Sequence, residues 1–393
     1  MNITALYPTL PPVLDGIAAY TAHQCAEMAR HGETVDVLTR TGSYTPIPGV
    51  SIRPCYDGGG RSLLDVLPTI SATTPDWLLL QYNPSSYRGR WVINPFLPYL
   101  IYRIRQVSPQ TRIAIVVHET FAPNTAEFRV RALWERVQLY LLGQCADLLV
   151  HVASVWKNRL RGWFPNVPSL HLPVGSNINR RTVDRQAERA LLGIDDETVA
   201  IGLFGGIDRF KLPDFYRTVA ERMAATNRPY TFLYVGGSGA DARAVLGSAP
   251  LIDCGPLPDA DVAARFAVMD VYLTPFENGV TTRRGSFMAG LHHGCPTVTT
   301  LGPATDPVLQ QAADSAFLAA DHTAPAAYAD TVVALAADAS RRRALGRGGV
   351  HLYQRAFDWT VTVPQLLETM QAITTADPSP SSASPPPLAA VPH

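Results

Sequence analysis

The sequence predicts an α/β protein built from two doubly wound domains, each with a parallel sheet. Short apolar runs alternate with segments of helical periodicity, and strands separated by helices pair in parallel. The alternation occurs in two series, which a polar stretch at 179–188 separates. The length of 393 residues suits two domains, and a hydrophobic content of 47% suits a large buried core.

The first series begins with a strand at 2–6 and a helix at 16–30. That helix has apolar residues at helical spacing and ends near Gly32. Further runs rich in Val, Ile and Leu predict the other strands. These strands lie at 34–38, 77–81, 113–117, 148–152 and 169–172. The remaining helices are predicted at 91–105, 125–142 and 154–163.

The second series repeats the pattern after the polar stretch. Its strands are predicted at 199–204, 230–235, 249–253, 271–274, 296–300 and 315–318. Its helices are predicted at 213–225, 259–267, 286–292 and 325–337, and a final amphipathic helix at 358–373. Since ligands of such sheets bind beyond the carboxyl ends of the strands, the cleft between two such domains is the expected site.

These patterns set the expected domain boundaries. An N-terminal domain is expected at 1–178, a C-terminal domain at 179–356 and a closing helix at 357–373. The remainder, 374–393, is rich in Pro, Ser and Ala and is expected to be a disordered tail, because it cannot bury enough surface to offset its ordering entropy.

Composition excludes several classes of protein. Lys and Arg total 33 and Asp and Glu total 33, so general attraction to nucleic acid is not expected. The five cysteines lack C-x-x-C spacing, which argues against a zinc site or a disulfide framework and fits the cytoplasm. Neither a secretory signal nor a membrane span is expected. Only Lys157 and Lys211 are lysines.

The richest motif is PFENGVTTRRGS at 275–286, which joins a predicted strand to a predicted helix. Unpaired N–H groups at a helix start bind phosphate, and the helix dipole favours the negative charge. Arg283 and Arg284 would add charge-assisted donors before a helix that opens at Ser286. The alternative is a Ser286 helix cap beside two solvated arginines.

A second motif, GLFGGIDRFK at 202–211, also follows a predicted strand. Gly205 and Gly206 allow close backbone approach, and Arg209 and Lys211 could neutralise a diphosphate. The alternative is a flexible turn with two surface cations.

Loops after strands of the first series carry further candidates. Asp15 and Gly16 open the first helix, where Asp15 is equally suited to a plain cap. His118 ends a strand, although a lone histidine is more often structural. Tyr82 and Asn83 end another strand. A basic and aromatic segment at 155–164 suits either a weak peripheral membrane contact or, more often, a half-buried helix.

Taken together, these pieces resemble the retaining glycosyltransferases of family 4, which have the GT-B fold of two Rossmann-like domains facing a central cleft. The opening, YP at 7–8 followed by GIAAY at 16–20, looks like the opening of that family, and the RRGS at 283–286 looks like a motif of one branch of it. The other matching segments lie at 172–178, 269–276, 279–300 and 357–359, and the resemblance covers about residues 1–372.

The resemblance implies a second domain that holds a UDP- or GDP-sugar and a first domain that receives a hydroxyl acceptor such as a glycan, a glycolipid or a small metabolite. It also implies retention at the anomeric carbon, with no metal and no cofactor. The implied catalytic residues are His118, Lys211 and Arg209. The implied donor-binding residues are Gly16, Gly205, Gly206, Glu277, Gly279, Arg283, Arg284, Gly285 and Ser286. The acceptor-side residues are Asp15, Tyr82, Asn83 and Glu119.

The sequence departs from the family pattern at two places. Gly206 stands where the usual arginine precedes the lysine, so Arg209 is the expected substitute. The usual pair of glutamates is broken, because Gly285 stands eight residues after Glu277. Two other functions therefore stay open: a non-catalytic GT-B partner subunit, and a nucleotide-sugar epimerase that would use carboxylates such as Glu277, Glu119 and Asp208.

Overall fold

The computed structural model describes residues 1–58, 60–87, 94–122, 129–207 and 209–376. Within these ranges the chain forms two compact units. The first comprises Met1–Pro173 and the segment that begins at Trp359, and the second comprises Val174–Asp358. Each unit is a parallel sheet covered by helices, as the alternating pattern predicts.

The first unit contains a seven-stranded sheet. Its strands are β1 (Asn2–Leu6), β2 (Thr34–Arg40), β3 (Val50–Tyr56), β4 (Trp77–Tyr82), β5 (Arg112–Val117), β6 (Leu148–His151) and β7 (Ser169–His171). They lie in the order β3-β2-β1-β4-β5-β6-β7, and each paired set is parallel. All six residues of β4 and of β5 are buried, as expected of strands that helices cover on both faces.

Within the described part of the first unit, five α-helices precede the second sheet in the chain. They are α1 (Gly16–Arg30), α2 (Val66–Thr73), α3 (Phe96–Val107), α4 (Arg129–Gly143) and α5 (Ser154–Leu160). Helix α1 has the predicted bounds. The predicted starts of α3 and α4, at 91 and 125, lie outside the described residues.

The second unit contains a six-stranded parallel sheet in the order β10-β9-β8-β11-β12-β13. The strands are β8 (Val199–Phe204), β9 (Tyr230–Val235), β10 (Leu251–Asp253), β11 (Val271–Thr274), β12 (Thr297–Leu301) and β13 (Leu318–Asp321). The helices are α6 (Arg185–Leu191), α7 (Pro213–Ala224), α8 (Gly239–Leu246), α9 (Asp259–Val268), α10 (Gly285–His292), α11 (Pro307–Ala312), α12 (Pro325–Ala337) and α13 (Ala339–Ala356).

The last helix, α14 (Trp359–Ala376), belongs to the first unit and packs on α1. The Trp359 ring lies 5.0 Å from the ring of Tyr20 and stacks on His23 at 5.7 Å. The helix continues three residues beyond the predicted end at 373, and positions 377–393 lie outside the described residues.

Several elements were not predicted. Strand β3 carries Pro54 and many exposed residues, which suits an edge strand but hides the apolar signal. Helix α13 is rich in Arg and Gly, so its hydrophobic periodicity is weak. The last strand was predicted at 315–318 but is β13, which begins at Leu318. Residues 314–316 form a turn in which Asp314 has a positive φ of 65°, and Phe317 forms only an isolated bridge with Ala313.

The basic and aromatic segment at 155–164 packs into the first unit. Trp156 is buried and its Nε1 donates to the His118 carbonyl at 3.3 Å, while the Trp163 ring stacks on Phe121 at 5.6 Å. Helix α5 ends at Leu160, not at 163. This packing matches the half-buried alternative.

Candidate functional site

The strand order of the second sheet reverses between β8 and β11. Both strands are parallel, so the loops that follow them leave the same edge of the sheet side by side. The Glu277 amide donates to the Phe210 carbonyl at 3.0 Å and ties the two loops together. Open α/β sheets bind ligands at such a reversal point, beyond the carboxyl ends of the strands. The 202–211 and 275–286 motifs therefore meet where a ligand is expected.

The loop after β8 brings a lysine to this edge. Gly205 has a φ of +82°, and an added Cβ would lie 3.3 Å from the Lys211 Nζ. The Nζ donates to the Phe204 carbonyl at 2.8 Å, which fixes the ammonium group at the carboxyl end of β8. Gly206 is different, because its φ is not positive and an added Cβ would meet nothing within 4 Å. Asp208 and the side chain of Arg209 lie outside the part of the chain that the structure describes.

Gly279 shapes the loop after β11. It has a φ of +83°, and an added Cβ would lie 2.3 Å from both the Gly302 nitrogen and the Thr305 Oγ1. The next amide, of Val280, donates to the Thr300 carbonyl at 2.8 Å. The fold itself therefore requires glycine here, whereas the sequence suggested only a donor-binding role. Glu277, two residues earlier, is exposed.

A carboxylate that the sequence did not single out supports the same loop. Asp306 is fully buried, and its Oδ2 accepts a hydrogen bond from the Thr282 amide at 2.7 Å. Asp306 occupies the cap position of α11, but its side chain does not cap that helix. An Asp-Pro pair at a helix start predicts a cap, so the sequence offered no signal for this long-range role.

The two arginines of the loop are partly buried. Burial, followed by the like charge of Arg284, lowers the pKa of Arg283 to about 9, while Asp306 opposes the shift. The Arg284 guanidinium lies 4.5 Å from the centroid of the Phe276 ring, a cation–π contact. At this pKa Arg283 remains cationic at neutral pH. The partial burial of both arginines and the ring contact of Arg284 disagree with the alternative in which both side chains are solvated.

Helix α10 begins at Gly285, so the expected opening at Ser286 was wrong by one residue. Arg284 occupies the cap position without a side-chain cap, and the first turn contains no acidic residue. Ser286 lies inside that turn, and its carbonyl accepts from the Tyr272 hydroxyl at 3.1 Å. A Cβ at Gly285 would make ordinary contacts at 3.8 Å or more, so packing does not require glycine there.

The first sheet also reverses its order, between β1 and β4. The loop after β1 ends at Asp15, whose Oδ1 accepts from the Ile17 amide at 2.7 Å and whose Oδ2 accepts from the Tyr7 hydroxyl at 2.9 Å. Asp15 therefore caps α1, as its structural alternative predicts. Gly16 is exposed, and an added Cβ would meet nothing within 4 Å.

His118 directly follows β5 and belongs to a buried chain of polar side chains. Its Nε2 lies 2.8 Å from the Gln81 Oε1, and the Gln81 Nε2 donates to the Gln24 Oε1 at 2.7 Å. The Gln24 Nε2 then donates to the Tyr20 hydroxyl at 2.9 Å. Because the Gln81 oxygen can only accept, neutral His118 carries its proton on Nε2, and Nδ1 is its acceptor atom. The sequence did not point to Gln24, because one polar residue within a helix does not indicate a buried hydrogen bond.

Burial lowers the pKa of His118 to about 3. The unfolded chain protonates this histidine near pH 6.5, so it binds more protons than the folded chain as the pH falls from 6.5 towards 3, and stability falls in that window. We expect the variant His118→Gln to lose less melting temperature between pH 7.5 and 5.0 than the wild type. The exposed His351→Gln is the control. Equal losses in wild type and His118→Gln would contradict the buried neutral state.

The remaining first-unit candidates divide between core and loop. The Tyr82 side chain is fully buried and its hydroxyl donates to the Gln138 Oε1 at 3.2 Å, so it belongs to the core and corrects the acceptor-side expectation. The Asn83 Oδ1 accepts from the Ser85 amide at 2.9 Å and builds the turn after β4. Glu119 is half-buried directly after His118.

No family model and no curated protein matches the sequence. Solved structures do match it. Sucrose-phosphate synthase from Thermosynechococcus elongatus aligns with a TM-score of 0.72 and 16% identity, covering 96% of this chain and 100% of that one. HepE from Anabaena aligns with a TM-score of 0.69 and 12% identity, covering 95% and 100%. The chain has the GT-B fold.

A third GT-B structure of similar likeness is the glycosyltransferase WaaG, with a TM-score of 0.66, 12% identity and coverage of 94% and 99%. At these identities the likeness establishes the GT-B fold.

Within the described residues, no group of three His, Cys, Asp or Glu side chains is arranged to hold a metal ion. Among the same residues, no helix is long and apolar enough to cross a membrane.

Proposed function

We propose that this chain is a retaining glycosyltransferase of the family 4 type, which transfers a sugar from a UDP- or GDP-sugar to a hydroxyl acceptor without a metal or a cofactor. The observation that carries the proposal is the cationic edge between β8 and β11. There the Lys211 ammonium lies at one strand end, and the partly buried Arg283 and Arg284 precede the uncapped start of α10 at the next.

This edge suits a diphosphate better than a neutral ligand. The first-turn amides of α10 and the helix dipole favour an anion, and the side chain of the cap residue, Arg284, does not cap them. Gly206 and Gly285 leave room for close approach, since packing requires neither glycine. The HepE structures, which share the fold, are complexes with UDP, glucose and UDP-glucose. We therefore assign the donor to the second unit.

The proposed reaction breaks the bond between the anomeric carbon and the diphosphate oxygen and forms a bond from that carbon to the acceptor oxygen. The departing phosphate oxygen takes the acceptor's hydroxyl proton on the same face, so configuration is retained and no protein nucleophile is needed. Lys211 and the arginines stabilise the charge that grows on the leaving diphosphate, because their positions are fixed before the reaction. Arg209 is assigned to the same charge from its sequence position.

His118 and Glu277 are proposed to recognise the sugar. The Nδ1 of neutral His118 accepts a hydrogen bond from a sugar hydroxyl, while Gln81 holds the ring through Nε2. The exposed Glu277 carboxylate accepts from another hydroxyl. We also assign Glu119 and Asn83 to the acceptor side.

All five cysteines are free thiols, which suits the cytoplasm as the place of action.

A panel of UDP- and GDP-sugars tests the proposal. We expect one donor to bind in calorimetry and to hydrolyse slowly, in the presence of EDTA, to a free sugar whose first-formed anomer retains the donor's configuration by NMR. Conversion of the donor to a new epimer would support the epimerase alternative instead of sugar transfer. Binding without turnover, with any acceptor, would favour the partner-subunit alternative that the missing second glutamate suggests. Absence of binding to any nucleoside diphosphate would overturn the proposal.

A further inference from the structure

A second basic site lies at the opposite edge of the second sheet. A cavity of about 710 Å³ includes Asp270 and Pro296, which directly precede β11 and β12, in its lining. The cavity therefore lies at the amino ends of the parallel strands, whereas Lys211 and the loop that carries Arg283 and Arg284 lie at the carboxyl ends. Its volume is in the range of sites for small molecules.

The charge of the lining is strongly unbalanced. Five arginines line the cavity, and they are Arg180, Arg185, Arg342, Arg343 and Arg347. Among the residues that the structure describes, the lining carries a single carboxylate, that of Asp270. That carboxylate already pairs with Arg185 at 2.8 Å and with Arg189 at 3.1 Å. A chain with no net charge thus concentrates uncompensated positive charge in one concavity.

Helix α13 presents part of this charge in a column. Arg343, Arg347 and His351 follow each other at intervals of four residues and all line the cavity. The guanidinium groups of Arg343 and Arg347 are like charges at this spacing, which destabilises the helix. Among the described residues, none forms an ion pair or a hydrogen bond with the side chain of Arg343, Arg347 or Arg180. A bound anion would relieve the repulsion.

The floor of the cavity is preformed by backbone packing. A Cβ at Gly346 would lie 2.4 Å from the Gly294 carbonyl, so α13 rests directly on the turn that precedes β12. Gly294 has a φ of +70°, a conformation that favours glycine. Cys295 is buried beneath, with its Sγ 2.9 Å from the Phe266 carbonyl. The positions of the helix and its arginines relative to the strand ends are therefore fixed.

From this geometry we infer a second ligand site, which binds an anion carrying two or more phosphoryl groups. A guanidinium group donates two parallel hydrogen bonds to the oxygens of a phosphoryl group. Several guanidinium groups around one cavity therefore suit a polyphosphorylated ligand better than a ligand with a single carboxylate. The site is separate from the proposed donor site because it occupies the other edge of the sheet. The phosphoryl groups belong either to a soluble metabolite or to a lipid headgroup.

Calorimetry with inorganic tripolyphosphate tests the site. The background is Lys211→Ala, which weakens binding at the donor edge, so that the two sites are not confused. We expect Arg343→Gln with Arg347→Gln to weaken tripolyphosphate binding about tenfold or more, because each charge-assisted contact contributes about a factor of ten. The matched control is Arg341→Gln with Arg355→Gln, which removes the same charge from α13 outside the cavity.

Hydrogen exchange locates the bound anion, with protection expected in segment 339–354. Vesicles containing phosphatidylinositol bisphosphate, whose headgroup carries more than one phosphoryl group, form a second arm. Binding of tripolyphosphate in solution assigns a soluble ligand. Binding of the vesicles alone assigns a lipid headgroup, provided that Arg343→Gln with Arg347→Gln abolishes it. Equal weakening by the control pair, or no binding of either probe, would overturn the site. A donor panel that fails leaves this result unaffected.

Discussion

Replacement of Lys211 by alanine is expected to lower the rate of sugar transfer about 10²–10³-fold. The Nζ lies at the carboxyl end of β8, 2.8 Å from the Phe204 carbonyl, where the strand order reverses. A fixed ammonium there stabilises negative charge that develops on the leaving diphosphate, so its loss lowers turnover more than it weakens donor binding. The lost hydrogen bond costs stability only about 1 kcal/mol.

The chain supplies its own control, because Lys157 in α5 is the one other lysine. Lys157→Ala removes the same charge and should leave turnover within about twofold of the wild type. Initial rates with the donor found in the panel, and melting temperatures of all three proteins, complete the measurement. Turnover of Lys211→Ala at the wild-type level would remove Lys211 from the reaction.

The sequence predicted the architecture well because buried parallel strands are continuous apolar runs. Strands β1, β8, β9 and β11 have the predicted bounds, and so do helices α1 and α12. The two motif loops were also located correctly, since each follows such a strand and lies at the reversal point. Local periodicity and the rule for carboxyl ends of strands suffice for this level of description.

The contacts that shape the loops could not be predicted, because they join residues far apart in the chain. Asp306 supports Thr282 from 24 residues away, and Gln24 reaches Gln81 across 57 residues. Tyr82 was misjudged for a related reason: it ends a strand, but its side chain alternates into the core. Whether the fold or a ligand requires a given glycine also depends on atoms that are close in space but distant in the sequence.

Gly279 and Gly206 illustrate this difference, and their alanine variants should behave oppositely. In Gly279→Ala the new Cβ would clash with the Gly302 nitrogen and the Thr305 Oγ1, each at 2.3 Å, in a left-handed backbone conformation. Strain and overpacking together should cost about 3 kcal/mol, which corresponds to a fall in melting temperature of about 6–12 °C for a unit of this size.

Gly206→Ala should leave the melting temperature unchanged, because the added Cβ meets nothing within 4 Å and φ is not positive. If the diphosphate approaches this backbone closely, the same Cβ will instead weaken donor binding, which calorimetry measures. Thermal unfolding of both variants thus separates a glycine that the fold requires from one that the ligand requires. A Gly279→Ala protein that melts within about 2 °C of wild type would show that the loop adapts, and a Gly206→Ala protein that binds donor normally would move the diphosphate away from β8.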